Sequence, residues 1–152
     1  MLDFDRLRQH GFQPYRKTTI TFAKQMNTPF AVRLISGDEI YGQPGDYACV
    51  APGGEDRWIV NRHIFERTYE AHLLKLDEPA QKRLVRQGFR PYLKHQVTWA
   101  KKLDKPKIIH TLEGDVRAQA GDYLCVGTNG EQWPQKPGRF EANYARVTHN
   151  RA

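Results

Sequence analysis

The residues with the means to do chemistry fall into four groups. The largest is a set of cations, Arg90, Lys94, Lys101, Lys102, Lys105, Lys107 and Arg117. Clustered positive side chains attract phosphates, carboxylates or acidic protein surfaces; on a strand edge they also block unwanted strand pairing. Asp46 and Asp122 each follow a glycine, a position where a carboxylate accepts backbone N–H bonds and fixes a turn. That reading outweighs twin catalytic acids, because no adjacent residue supplies a second carboxylate or a base. Cys49 and Cys125 are expected as buried, reduced thiols. Neither lies near a histidine at zinc spacing, and a bridge between them would need Cα atoms within about 7 Å. His110 is the histidine to test as a general base. No phosphate-binding glycine loop, nucleophile elbow, CxxC or HExxH pattern is present, which weighs against an enzyme; no metal or cofactor is expected.

What positions these residues is a tandem duplication. The stretch from Asp5 to Asp38 matches Lys82 to Asp115 at a constant offset of 77, and after one deletion GDYACV from Gly45 aligns with GDYLCV from Gly121. A second one-residue adjustment pairs Trp58 with Trp133, Phe65 with Phe140 and Tyr69 with Tyr144. About two dozen of some 68 aligned positions are identical. The repeats are taken as residues 1–76 and 77–152.

Each repeat predicts the same elements. A short helix (Asp5 to His10; Glu78 to Gln87) ends at Gly11 or Gly88, glycine being the residue that tolerates a left-handed turn. Pro79 suits the first turn of the second helix, with Asp77 as its N-cap. Strands are expected at Thr19 to Ala23 and Gln96 to Ala100, then at Phe30 to Ile35 and Lys107 to Leu112, turning at Gly37-Asp38 or Gly114-Asp115 in a type II′ hairpin. A further strand starts at Asp46 or Asp122 and returns through Trp58 or Trp133, before a helical turn carries Phe65/Tyr69 or Phe140/Tyr144 on one face. Hairpins without crossovers mean antiparallel sheets. The fold class is therefore α+β: two similar small antiparallel-sheet units with short flanking helices, related by a pseudo-two-fold axis. The connector Glu70 to Asp77 reads as packed, joining both repeats into one body.

Composition bounds the rest. The chain has 152 residues, 39% hydrophobic and 27% charged, with net charge +7. That excludes a disordered, collagen-like or disulfide-scaffold protein, and no apolar run approaches the roughly 20 residues of a membrane helix. The opening MLDFDRLRQH has no apolar signal core, so a cytoplasmic location is expected. Divided at residue 76, the first half carries 10 Lys+Arg against 9 Asp+Glu, net +1, and the second 14 against 8, net +6. Fourteen of the 17 aromatic residues fall into matched pairs, as shared core faces require. Phe4, Phe30 and Tyr41 are unmatched; they are expected at the contact between repeats, the alternative being a site present in the first repeat only. Lys17/Lys94 and Lys24/Lys101 are retained pairs expected to meet retained acids such as Asp38/Asp115 or Glu66/Glu141.

The segments QPGDYACV and QAGDYLCV, followed by a GE, a Trp and F-E-x-x-Y, resemble the PGDYG family and related small phage proteins. The likeness extends to Tyr15-Arg16-Lys17-Thr18-Thr19-Ile20, to the hairpin Thr111-Leu112-Glu113-Gly114-Asp115, and to the closing stretches Trp133-Pro134 to Phe140-Glu141 and Phe65 to Glu70. Ala48 and Leu124 replace the last glycine of the family name, and Ala23 and Ala100 stand where the similar proteins tend to have glutamate. The resemblance implies a fold unit of bacterial or phage origin and supplies no mechanism.

The expected function is a non-enzymatic binding or interaction module, with a groove where the repeats join, for an anionic small molecule or an acidic partner recruited by the second repeat's basic face. The alternative is a nucleic-acid-associated protein using that face for phosphate contacts. A third reading is a small hydrolase or nucleotide-modifying enzyme around Asp46, Asp122 or His110. No membrane partner is expected, and the chain is a monomer with internal pairing or a homodimer.

Overall fold

Alternation along Thr21–Gln25 puts Phe22 on one face and Ala23 on the other, and Thr98–Lys102 repeats this with Trp99 and Ala100. Such two-faced strands must be central in a sheet covered on both sides, and they are. A computed structural model describes residues 2–73 and 75–147. Among these it contains α1 (Phe4–Gln9), β1 (Gln13–Lys17), β2 (Thr21–Gln25), β3 (Phe30–Arg33), β4 (Glu39–Gly42), β5 (Tyr47–Val50), β6 (Arg57–Val60), α2 (Arg62–Thr68) and β7 (Tyr69–Ala71). The second repeat follows the same order with α3 (Pro79–Arg86), β8 (Arg90–Lys94), β9 (Thr98–Lys102), β10 (Lys107–Thr111), β11 (Gly114–Ala118), β12 (Tyr123–Val126), β13 (Gln132–Gln135), α4 (Pro137–Asn143) and β14 (Tyr144–Arg146). All pairings are antiparallel, so the class is α+β.

The strand order holds the main finding. One five-stranded sheet runs β13-β12-β9-β1-β14 and the other β6-β5-β2-β8-β7. In each, four strands come from one repeat and the fourth in order from the other repeat. The registers repeat: Gln13 faces Ala100 and Tyr15 faces Thr98, as Arg90 faces Ala23 and Tyr92 faces Thr21. Each repeat thus donates its leading helix and strand to its sibling's sheet. Accordingly, one compact unit is residues 1–19 with 95–152, and the other is the continuous segment 20–94. The sequence repeats and the compact units divide the chain at different points.

Each sheet is covered on both faces. In the first unit Phe12, Trp99, Leu124 and Val126 pack with Leu7 of α1 on one face, and Ala100, Cys125, Phe140 and Tyr144 fill the other. In the segment 20–94 Phe22, Val50, Leu84 and Phe89 form the first cluster, and Ala23, Cys49, Phe65 and Tyr69 the second. The cysteines lie one in each unit, buried and outside any disulfide. All 14 matched aromatics are buried or half-buried. Phe65 is sandwiched between Tyr47 (3.9 Å) and Tyr69 (4.4 Å), with Tyr92 edge-on at 4.9 Å. Phe140 is flanked by Tyr123 (4.2 Å) and Tyr144 (4.6 Å), with Tyr15 edge-on at 4.8 Å. The edge-on ring is the donated one in both units.

Several local expectations are corrected. The strands β1 and β8 and the short closing strands β7 and β14 are absent from the predicted order. β2 and β9 begin two residues later than expected. Asp77 is not the cap of α3; Glu78 holds that position without a side-chain hydrogen bond. The second hairpin turns at Leu112-Glu113, with Gly114 (φ 137°) already paired to Thr111, and the first turns through a longer loop closed by Leu34 N–H to Asp38 O at 2.8 Å. A glycine-first two-residue turn occurs in neither. The connector is not packed throughout, since Leu73 is 96% exposed. Lys24 and Lys101 donate not to retained acids but to the backbone oxygens of Gln87 (3.1 Å) and His10 (3.3 Å), the caps of the donated helices. A cation belongs there, where unpaired carbonyls gather.

Tyrosine ionisation couples to this packing. Burial, with the adjacent Glu141 carboxylate, pushes the Tyr123 hydroxyl up to about 12, and burial raises Tyr144 further and Tyr47 too. Below pH 10 these groups are neutral in folded and unfolded chains alike. Above it the unfolded chain ionises first, so stability falls as pH rises from 10 toward 12. Tyrosinate absorbance followed with far-ultraviolet circular dichroism should show a late set of tyrosines that ionises together with unfolding; complete titration before any loss of structure would contradict the packing.

Candidate anion-binding site

The seven predicted cations are divided between the two compact units. Arg90 and Lys94 lie on β8 and belong to the segment 20–94; the other five belong to the first unit. The Arg90 guanidinium donates to Phe89 O (2.9 Å) and Val85 O (3.3 Å), and Lys94 is buried with its ammonium 5.9 Å from the Tyr69 ring centre. Both serve the seating of their own strand. Lys101 also has a structural task, capping α1 and covering Phe12 at 4.8 Å.

Lys102, Lys105, Lys107 and Arg117 remain exposed. The first three surround the short loop between β9 and β10. That loop is pinned at buried Leu103, whose N–H donates to Asp122 O and whose carbonyl accepts from Gly121 N–H, each at 2.8 Å. Pro106 stiffens it further. Lys105 and Lys107 flank this proline and make no ion pair among the described residues. Lys102 is half-engaged, 3.9 Å from a Glu141 oxygen and 5.6 Å from the Tyr123 ring centre. Arg117 stands across the hairpin from Ile108 and has its own contacts.

The exchange also redistributes charge. The first unit holds 13 Lys+Arg against 8 Asp+Glu, net +5, and the segment 20–94 holds 11 against 9, net +2. Arg6, Arg8 and Arg16 arrive in the first unit with the donated segment. Composition by sequence halves assigns them elsewhere, and no signal short of the strand order would have moved them.

The other candidates are occupied by structure. Asp46 accepts from Gln43 N–H (3.0 Å) and Arg62 N–H (3.1 Å), tying the turn to the start of α2. Asp122 accepts from Gln119 N–H (2.8 Å) and from the Lys136 ammonium (3.0 Å). His110 faces Asp115 across the hairpin, Nδ1 to Oδ1 at 2.7 Å, with both side chains largely in solvent. Phe4 stacks on Trp99 at 5.3 Å, joining the two repeats as expected, whereas Phe30 lies over Gly42 and Tyr41 donates to Glu39 (2.9 Å), both inside the first hairpin. A concavity of about 460 Å³ lined by Leu2, Asp3, Phe4, Asp5 and Arg8 presents two carboxylates, the wrong charge for an anion. Among the described residues no cluster of His, Cys, Asp or Glu could hold a metal, and no helix is long and apolar enough to cross a membrane.

Compared with protein-family models, with curated proteins and with solved structures, the chain finds no match in any of the three.

Proposed function

We propose that this protein is a binding module whose ligand is anionic, engaged by Lys102, Lys105, Lys107 and Arg117 of the first unit. The observation that carries the reading is the pair Lys105 and Lys107: two exposed ammonium groups without ion-pair partners among the described residues, one on a loop pinned at Leu103 and the other opening the strand that follows it. Exposed cations on a pinned loop offer an anion a site whose backbone is already ordered, reducing the entropy lost on binding. The positive balance of the same unit supports recruitment from a distance. A PGDYG-like identity for each repeat, and a pseudo-two-fold axis relating the units, belong to the same proposal.

Nucleic acid is the second reading, favoured by the additional cations Arg6, Arg8 and Arg16 in the same unit. One titration separates the two. If the ligand is a polyphosphate backbone, binding of a labelled oligonucleotide falls steeply with salt, with a logarithmic slope of roughly 0.7–0.9 per phosphate contact. The triple variant K102E/K105E/K107E should then lose about ten-fold or more in affinity and flatten that slope. If the ligand is a small anion or an acidic protein, oligonucleotides bind weakly, and thermal shift with nucleotides or acidic peptides gives the signal. A triple variant that matches the parent against every anion would remove the proposal.

A further inference from the structure

The slot between β9 and β14 is filled by a segment that does not adjoin either strand in sequence. Between β1 and β9 the chain departs to build the entire segment 20–94 and then returns. Recognition of the donated α1–β1 segment therefore rests on its own contacts and not on sequence neighbours. Four of those contacts involve residues that differ between repeats, one of them the Arg16 guanidinium donating to His95 O at 3.0 Å, where the sibling has Leu93. Phe4 stacks on Trp99, the Arg8 guanidinium lies 4.9 Å over the same indole, and Gln13 Oε1 accepts from Arg146 at 2.5 Å. In the sibling segment the matching positions are Gln81, Val85 and Arg90. Seated in this slot, the sibling would lose the aromatic stack and set Arg90 against Arg146, a like-charge encounter. The slot is thus keyed to the α1–β1 sequence.

We propose that the partner this slot fits is the α1–β1 segment of a second copy of the chain, so that two chains trade leaders and form an exchanged dimer. The hinge that would redirect the segment is Thr18–Ile20, three residues between β1 and β2, and short hinges between swappable elements favour such exchange. The contacts made are the same within one chain or between two, so concentration decides the outcome: the intramolecular segment competes at an effective concentration in the millimolar range. Micromolar protein is then monomeric, and exchange requires the first unit to open. This inference rests on residues separate from the proposed anion site.

The test refolds an equimolar mixture of two full-length copies, one tagged, from denaturant at about 5 µM and at about 1 mM, followed by size-exclusion chromatography with light scattering. Expected is a dimer fraction at least ten-fold larger after the concentrated refolding, containing both copies, that persists for hours after dilution under native conditions. Because exchange seats each leader in the other copy, a Q13R copy refolded with an R146E copy should give about ten-fold more mixed dimer than either copy gives alone, the introduced arginine of one then facing the introduced glutamate of the other. Monomer alone at both concentrations would overturn the proposal. So would a dimer that dissociates promptly on dilution, or a Q13R and R146E mixture that yields no more mixed dimer than either copy alone.

Discussion

Residues 20–94 produced alone are expected to fold into the β6-β5-β2-β8-β7 sheet, whereas residues 1–76, the first sequence repeat, are not. The continuous segment contains every strand of its sheet, the hairpin β3–β4, and both apolar clusters, including Leu84 and Phe89 against Phe22. The sequence repeat lacks β8 and α3. Its sheet would have a gap between β2 and β7, with Phe22 uncovered on one face, while β1 would have neither β9 nor β14 to pair with. A unit of this size buries only about 60% of the surface its unfolded chain exposes, so losing one central strand is not tolerable. Cooperative denaturant unfolding of 20–94, with slow amide exchange in β2 and β8, is the expected result. A fragment 1–76 that folds as cooperatively as 20–94 would show β1 lying in its own repeat's sheet.

Phe140→Ala should cost about 3–5 kcal/mol, the range for truncating a fully buried phenylalanine. Phe140 is 1% exposed and touches three tyrosine rings, two stacked and one edge-on; such pairs add about 0.5–1.5 kcal/mol each beyond area burial. Set against total stabilities of about 5–15 kcal/mol, one substitution removes a large share. Phe65→Ala should behave alike, because its three neighbours have the same arrangement. Guanidinium unfolding measures both, and a loss below about 1 kcal/mol at either position would show that the ring cluster is not where the sheet is anchored. Phe140→Leu, which keeps most of the volume, should cost clearly less.

The repeat, the antiparallel class, the glycine-terminated leading helices and the turn-fixing role of Asp46 and Asp122 were legible in the amino-acid sequence, each through a local cause. Gly11 and Gly88, for instance, have φ of 89° and 101° where their helices end. The strand β1 was hidden by Pro14, since proline rarely sits inside a sheet. Here it sits where the β14 ladder ends: its carbonyl accepts from Val147 N–H just beyond β14, as Pro91 O accepts from His72 N–H just beyond β7. The exchange could not be read from periodicity. Matched leaders with a shared Pro-Tyr core satisfy the same alternation whether seated in their own repeat's sheet or in the sibling's. Residues such as Phe4, Arg8, Gln13, Arg16 and Arg146 break the equivalence, and their meaning is visible only once their partners are known. The cation set divides likewise, since the boundary at Lys94–His95 puts Arg90 and Lys94 in one unit and the other five in the other.

Reciprocal donation of the leaders also ties the two halves of the gene together in descent. After an ordinary duplication each copy drifts at its own pace. Here a substitution in β1 is answered by residues of β9 and β14, and one in β8 by residues of β2 and β7. Compensation therefore arises in the sibling half, and neither copy can be lost or replaced without orphaning a strand in the other.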